Sequence, residues 1–210
     1  MSDLLREQLI ATALEMNSSG INQGTSGNLS VRHDGGMLIT PSGVPYEHLD
    51  SGDIVWVNCS DGSWKNKRKP SSEWRIHRDV YLAREDARAI LHAHPVHATA
   101  LACLQREIPA FHYMVAVAGG RNIRCAPYAT FGSQALSDNA LAALDGRTAC
   151  LMANHGLLCL AKDLSAALAL AVEVETLAQT YLQCLSAGEP VILDDEEMDR
   201  VLEKFKTYGQ

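Results

Sequence analysis

The chain has 210 residues, enough for one well-filled domain, and its 47% hydrophobic and 20% charged residues are typical of a globular protein. The formal net charge of −7 argues against nucleic acid or an anionic membrane as the main partner. The N-terminal residues lack the pattern of a signal peptide, and no apolar run is long enough to span a bilayer. We therefore expect one domain, residues 1–210, in the cytoplasm, with its six cysteines reduced.

The first third of the chain is predicted to form one helix and three strands joined by polar loops. Apolar residues at helical spacing place the helix at 3–16, and the turn signal Asp34-Gly35-Gly36 predicts a hairpin. The remaining features are strands at 29–31, 37–40 and 54–57, and loops rich in Gly and Ser at 22–28 and 40–45.

The rest of the chain alternates helices with short apolar strands. A helix is predicted to start at Ser71-Ser72, where serine is a favoured cap, and to run to about Arg84. Further helices are predicted at about 96–104, 134–144 and 164–185 and after Asp194, and further strands at 89–94, 122–126, 148–152 and 157–160, while 111–118 is apolar and of uncertain type. Hairpins outnumber strand–helix–strand crossovers, which predicts an α/β fold of three layers, α/β/α, with a mainly antiparallel central sheet.

Two histidines separated by one residue stand out in an apolar strand. Side chains two apart in a strand point to the same face, so His92 and His94 would project side by side, and Pro95 ends the strand. A catalytic zinc site commonly uses three protein ligands, and His155, in the turn Asn154-His155-Gly156, is the best third candidate. Alternatively, the pair are partly buried histidines that bond to backbone groups.

A carboxylate lies near the predicted helix start. Glu73 precedes Ile76 by three residues, which places it on or beside the buried stripe of that helix. A carboxylate there is costly to bury unless it is paired or bound to a cation. The alternative is an acidic residue that the helix dipole favours at an N-terminus.

Three short loops share a composition suited to binding phosphate. The segments Gly24–Asn28, Ser42-Gly43 and Ser71-Ser72 offer hydroxyls, a side-chain amide and backbone N–H groups. Each loop alone is generic, and none matches the phosphate loop of nucleotide hydrolases. Together with three histidines and Glu73, they indicate a metal enzyme that acts on a small phosphorylated substrate.

The order of these motifs resembles that of the class II aldolase/adducin family over essentially the whole chain. The matching segments are Asn22-Gln23-Gly24-Thr25-Ser26-Gly27-Asn28-Leu29-Ser30, Ile39-Thr40-Pro41-Ser42-Gly43, Pro70-Ser71-Ser72-Glu73-Trp74, His92-Ala93-His94 and Asn154-His155-Gly156. The segment Ile108–Met114 and the ending Leu202–Gly209 resemble most the branch that cleaves L-fuculose 1-phosphate.

The resemblance implies a role for each motif residue. His92, His94 and His155 would hold one Zn²⁺ per subunit, and Glu73 would be its fourth ligand at rest and then the catalytic acid/base. Phosphate would be bound by Asn28, Ser42, Gly43, Ser71 and Ser72. Tyr113 and Tyr208 would be catalytic residues that reach the site from a neighbouring subunit of a homotetramer, with Tyr113 helping to protonate the aldehyde oxygen.

The implied reaction is zinc-dependent retro-aldol cleavage of a ketose 1-phosphate, L-fuculose 1-phosphate, to dihydroxyacetone phosphate and L-lactaldehyde, and the reverse addition. Its partners would be small phosphorylated sugars and aldehydes, with no nucleic acid and no membrane. A metal ion can stabilise the negative charge of such a reaction, and a nearby carboxylate can move the proton at the reacting carbon.

The sequence also allows other functions. Within the family they are a methylthioribulose-1-phosphate dehydratase, a 5-deoxypentulose-1-phosphate aldolase and, less favoured because its phosphate lies at the other end of the sugar, an L-ribulose-5-phosphate 4-epimerase. From a different class, an adducin-like binding protein would have lost the metal site, which the presence of Glu73 and the three histidines argues against. A zinc hydrolase is a poor third, because no second metal set or nucleophile motif is present.

Overall fold

The computed structural model describes residues 2–207, and a mixed sheet of seven strands forms the centre of this part of the chain. The strands are β1 (Asn28–His33), β2 (Gly36–Ile39), β3 (Val55–Asn58), β4 (Ala89–Ala93), β5 (Cys125–Ala126), β6 (Ala149–Met152) and β7 (Gly156–Ala161). Their order across the sheet is β3-β2-β1-β4-β7-β6-β5, and every neighbouring pair is antiparallel except β5 and β6. The predicted α/β class with a mainly antiparallel sheet is confirmed.

Helices cover both faces of the sheet. The α-helices of the described residues are α1 (Ser2–Ser18), α2 (Trp74–Ala83), α3 (Val96–Cys103), α4 (Gln134–Ala143), α5 (Leu164–Ala187) and α6 (Asp195–Phe205), and 3₁₀ helices lie at Tyr46–His48 and Tyr113–Ala118. The strand β4 shows how the two core layers arise. Ile90 packs with residues of α2 and α4, whereas Leu91 packs with residues of α1, α3 and α5, because successive side chains point to opposite faces.

Three predicted boundaries differ from those of the structure, and the first two lie at the site. Helix α2 begins at Trp74 rather than at the serines, because a turn comes first: the Trp74 N–H donates to the Ser71 carbonyl at 3.1 Å. Strand β4 ends at Ala93, so His94 lies just beyond it, and Pro95 caps α3. The predicted strand at 122–126 pairs with β6 only over Cys125–Ala126.

The sequence predicts reduced cysteines and no membrane-spanning segment, and the described residues bear on both predictions. All six cysteines lie within them and are free thiols. No helix of residues 2–207 is both long and apolar enough to cross a membrane.

Candidate metal centre and substrate cavity

The structure brings the three predicted histidines together at one end of the sheet. The side-chain nitrogens of His92, His94 and His155 that face one another all lie within 4.8 Å, and the Nε2 atoms of His92 and His94 are 2.9 Å apart. His92 and His94 come from the end of β4, and His155 comes from the turn between β6 and β7. Because β4 and β7 are neighbours in the sheet, His92 contacts the Leu157 carbonyl, 65 positions away in the sequence, and His155 reaches the same point.

The backbone of the β6–β7 turn aims His155 at the other two histidines. Asn154 adopts a left-handed conformation with φ of 54°, which asparagine tolerates better than most residues. The His155 N–H donates to the Met152 carbonyl at 3.0 Å and closes the turn. Gly156 packs directly against His94, because a Cβ there would lie 2.5 Å from His94 Cδ2.

Glu73 completes the cluster. Its side chain is buried, with Oε2 2.9 Å from His92 Nε2 and Oε1 3.1 Å from His155 Nε2. It occupies the turn before α2, and its own N–H donates to Ser71 Oγ at 3.3 Å. The carboxylate is therefore held against two of the three imidazoles, as the paired or cation-bound interpretation predicts.

The arrangement of donors in the cluster fits a bound cation. His92 Nδ1 donates to the Leu157 carbonyl at 2.9 Å, so the Nε2 of a neutral His92 carries a lone pair. That lone pair faces Glu73 Oε2 and His94 Nε2, each at 2.9 Å. Acceptor atoms this close to one another need a proton or a cation between them, and three imidazoles, or imidazoles with a carboxylate, are ligand sets that zinc uses. The histidines thus form a site for a divalent metal ion.

The pKa values of the cluster show the same competition for a cation. Burial opposes ionisation of Glu73, but the positive charge of His92 and hydrogen bonds with His155 and His92 outweigh it and hold the pKa of Glu73 well below its usual range. Burial and the charges of His92 and His155 lower the pKa of His94 to about 4. Burial also disfavours the charged form of His92, yet the Glu73 carboxylate raises its pKa. Glu73 and His92 therefore favour each other's charged forms.

A cavity of about 520 Å³ opens onto this cluster. One wall is formed by Glu73, His94 and His155. The predicted loops also line the cavity, through the hydroxyl and glycine residues Thr25, Ser26, Ser42, Gly43 and Ser72. Of the residues that line the cavity, none is a lysine or an arginine. An anion bound there would have to be held by neutral donors.

Backbone hydrogen bonds join two of these loops. The Ser42 N–H donates to the Lys69 carbonyl at 3.1 Å, and the Ser71 N–H donates to the Thr40 carbonyl at 3.0 Å. Gly43 has a φ of 68°, a conformation that favours glycine. The N–H groups of Gly43 and Ser72 make no hydrogen bond with any other described residue. These free donors at the cavity wall are suited to binding oxygen atoms of an anion.

The other two predicted phosphate ligands are buried behind the cavity. Ser71 accepts the Glu73 N–H, as noted above, and Asn28 donates from Nδ2 to Glu73 Oε2 at 3.1 Å. Asn28 Oδ1 is also occupied, by His77 Nε2 at 2.6 Å. Both side chains therefore contact the acidic residue in this structure rather than the cavity.

The two predicted catalytic tyrosines do not reach this cavity within the described chain. Tyr113 begins a 3₁₀ helix, is half exposed and lines a different, apolar groove of about 590 Å³ together with Phe111 and Leu193. Tyr208 lies outside the described residues. A role of Tyr113 at the metal centre of another subunit stays a prediction.

Two aromatic residues at the mouth of the cavity were not predicted from the sequence. Tyr128 and Phe131 line it, and 60% and 66% of their surfaces are exposed. Both lie in the loop between β5 and α4, where no hydrophobic periodicity explains an aromatic residue. Two large aromatic side chains in a short non-periodic segment are the signal that was available.

The comparisons with known proteins agree with this geometry. The model of the family described as the Class II Aldolase and Adducin N-terminal domain matches residues 7–182. This chain belongs to the class II aldolase/adducin family.

Several characterised relatives match almost the full length of the chain. A 5-methylthioribulose-1-phosphate/5-deoxyribulose-1-phosphate aldolase of Rhodospirillum rubrum is 55% identical over 205 residues, 98% of this chain and 92% of the relative. The L-fuculose phosphate aldolase of Escherichia coli K12 is 53% identical over 206 residues, 98% of this chain and 95% of the relative. A solved structure of an L-fuculose 1-phosphate aldolase superposes with a TM-score of 0.93 at 43% identity, covering 96% of each chain.

Proposed function

We propose that this chain is a metal-dependent aldolase that cleaves a ketose 1-phosphate to dihydroxyacetone phosphate and an aldehyde, and catalyses the reverse addition. One observation carries the proposal: a cluster of three imidazoles and a buried carboxylate borders the same cavity as two loops with free N–H groups. This geometry supports a reaction in which a phosphate anchors the substrate while charge develops beside the histidine cluster in the same cavity.

The metal ion would be held by His92, His94 and His155, with Glu73 as the fourth ligand. Zn²⁺ is the metal we favour, because zinc sites in proteins prefer four ligands and bind imidazole and carboxylate groups. When bound, the metal supplies a Lewis acid that stabilises the negative charge of the cleaved ketose. The relatives named as aldolases support this chemistry.

Glu73 would act as the acid/base. In the direction of addition, its carboxylate takes a proton from the hydroxymethyl carbon of dihydroxyacetone phosphate, and in cleavage it returns that proton. Two features of the structure support this role: Glu73 borders the cavity, and its carboxylate lies beside the imidazoles of His92 and His155. The wall formed by the histidines would keep the carboxylate beside the reacting carbon.

The phosphate would be bound by Ser42, Gly43 and Ser72 at the cavity wall, with Asn28 and Ser71 as predicted ligands at the base of the same loops. Binding of the phosphate would fix the position of the reacting carbons relative to the metal site. The binding energy of the phosphate would therefore be used to orient the substrate for reaction. We also propose, from the family resemblance, a homotetramer in which Tyr113 and Tyr208 of a neighbouring subunit reach the site.

L-Fuculose 1-phosphate, which would release L-lactaldehyde, is the first candidate substrate. A 5-deoxyribulose 1-phosphate or its 5-methylthio analogue is the second, and two observations favour it: the relative from R. rubrum, and the exposed aromatic pair Tyr128 and Phe131 at the cavity mouth. The methylthio group of the 5-methylthio analogue would bury more of these rings than the terminal methyl group that both L-lactaldehyde and the aldehyde of the 5-deoxy sugar carry.

Comparison of kcat/KM for these sugars tests the proposal. We expect the zinc-loaded protein to release dihydroxyacetone phosphate from at least one of them, and the ratio of kcat/KM values to identify the aldehyde. Loss of water from 5-methylthioribulose 1-phosphate without dihydroxyacetone phosphate release would identify a dehydratase instead. Failure to bind zinc at all would refute the enzyme and favour an adducin-like binding protein.

A further inference from the structure

A line of buried polar side chains continues from Glu73 into the core between the sheet and α2. Asn28 and Ser30 lie two residues apart on β1 and face α2, whereas Leu29 between them packs on the other side of the sheet. His77 and Tyr81 lie four residues apart on α2, on its buried side. Relative exposure is 4% for Glu73, 3% for Asn28, 2% for Tyr81 and 0% for Ser30 and His77.

Each member of this line is hydrogen bonded to the next. The Tyr81 hydroxyl is 2.9 Å from Ser30 Oγ, and Ser30 Oγ is 2.7 Å from His77 Nδ1. His77 Nε2 is 2.6 Å from Asn28 Oδ1, and Asn28 Nδ2 is 3.1 Å from Glu73 Oε2. We call these four side chains behind Glu73, namely Asn28, His77, Ser30 and Tyr81, the relay.

The chemistry of the groups sets the direction of every bond in the relay. An ionised carboxylate only accepts, so the Asn28 amide donates to Glu73 and turns its oxygen toward His77. His77 Nε2 must then carry the proton, which leaves Nδ1 to accept from Ser30. Ser30 in turn accepts from Tyr81, whose hydroxyl has a weaker alternative acceptor in the Arg88 carbonyl at 3.5 Å.

We infer that His77 is a positioning residue for Glu73, acting as its Nε2–H tautomer through Asn28 to hold the carboxylate in the orientation that the metal and the substrate need. The importance of that orientation rests on the function proposed above. His77 does not touch the metal site, and its ring lies in the core beside the sheet. Burial, reinforced by the charge of His92, lowers the pKa of His77 to about 3, so the ring stays neutral and keeps one donor and one acceptor.

Core stability alone does not explain these polar residues. Buried polar groups are costly unless bonded, and apolar side chains of the same shape would serve a core at least as well. The relay ends at Glu73, the carboxylate of the metal cluster. Each hydrogen bond of the relay determines which atom donates in the next hydrogen bond. A purely structural role and a positioning role therefore predict the same loss of stability but different effects on Glu73.

Two substitutions of His77 separate these roles. H77F keeps a ring of similar size without nitrogen atoms, whereas the amide of H77Q can still donate to Asn28. We expect H77F to lower kcat at least tenfold with little change in KM, and H77Q to restore most of kcat. The matched control is S137A, which removes another fully buried serine hydroxyl, one that donates to Asp79 at 2.7 Å and lies outside the relay. If H77F does not fold, S30A tests the next bond of the relay and should give a smaller fall in kcat.

Nuclear magnetic resonance tests the relay without any turnover. We expect ¹⁵N shifts of His77 to show a protonated Nε2 and an unprotonated Nδ1, and the Asn28 side-chain amide signals to shift in H77F but not in S137A. An Nδ1–H tautomer would overturn the inference, as would equal losses of kcat in H77F, H77Q and S137A. If the wild-type protein lacks aldolase activity, the proposed function fails, while the tautomer and the Asn28 signals still decide whether the relay exists.

Discussion

Gly156 offers a test of the metal centre that changes none of its ligands. A Cβ at this position would lie 2.5 Å from the Ala93 carbonyl oxygen and 2.5 Å from His94 Cδ2, whereas ordinary contacts begin at 3.4 Å. The substitution Gly156→Ala must therefore displace the strand end or the His94 ring by about 0.9 Å. Metal–ligand distances tolerate changes of only about 0.2 Å, so a displacement of this size disturbs the site.

We expect G156A to bind zinc about 10- to 100-fold more weakly, the usual effect of disturbing the surroundings of a metal ligand. This corresponds to about 1.4–2.7 kcal/mol of binding free energy. Overpacking should also reduce the free energy of unfolding by about 1–3 kcal/mol. Zinc competition against a chromophoric chelator measures the first quantity, and denaturant unfolding of the metal-free protein measures the second.

Gly36→Ala is the matched control. Its Cβ would lie 2.3 Å from the Val57 carbonyl oxygen and 2.9 Å from the Trp56 ring, a clash of similar severity in β2, away from the three histidines of the metal centre. G36A should lose comparable stability and keep the zinc affinity of the wild type. Equal zinc affinities for G156A, G36A and the wild type would refute the reasoning, because the His94 ring would then adapt freely to the added methyl group.

Three further predictions concern proton transfer, the C-terminus and pH. Glu73→Gln should lower turnover by about 10²- to 10⁴-fold, because the acid/base is lost, while binding of a phosphorylated substrate analogue persists; near-normal turnover would remove Glu73 from that role. Deleting residues from Thr207 onward should slow turnover without lowering Tm, since Thr207 is exposed and follows the last helix, and unchanged activity would exclude a catalytic Tyr208. His77 has a pKa of about 3 when folded and an ordinary value of 6.5, so only the unfolded chain binds its proton between these values. As pH falls below 6.5, the unfolding free energy of the wild type should therefore fall relative to H77Q by about 1.4 kcal/mol per pH unit, and equal slopes would contradict a buried neutral His77.

Local patterns predicted the sheet and the histidine cluster well. The alternating and continuous apolar runs are short-range signals, so the strands at β4, β6 and β7 were found close to their true positions. His155 was predicted as the third ligand from its position in an Asn-His-Gly turn between two apolar runs, and the pairing of β4 with β7 brings it to the other two histidines. The resemblance to a family added the roles of the loops, which composition alone left generic.

The contacts of Asn28 were not predictable in the same way. The spacing of Asn28 and Ser30 shows that they share a face of β1, but not which face of α2 they meet. His77 likewise looks like an ordinary residue on the buried stripe of an amphipathic helix. The relay joins residues of β1 to residues more than 40 positions later in the chain, in and before α2. The periodicity of a single sequence does not show how such a strand and helix pack together.

Exposed residues near the cavity posed a different difficulty. Tyr128 and Phe131 lie in a loop, where neither helical nor strand spacing marks a functional position. Tyr113 contributes to a groove that is separate from the metal centre within one chain. Its predicted role depends on a neighbouring subunit, and no pattern within a single sequence reports such a contact.

The most direct test of a metal-dependent aldolase is the release of dihydroxyacetone phosphate from L-fuculose 1-phosphate and 5-deoxyribulose 1-phosphate, before chelation, after chelation and after Zn²⁺ is restored. The proposed function predicts turnover of at least one sugar, loss of that turnover on chelation, and recovery with Zn²⁺ that requires His92, His94 and His155. Turnover that persists after all metal has been removed, or no turnover by a protein shown to hold one zinc per chain, would contradict it.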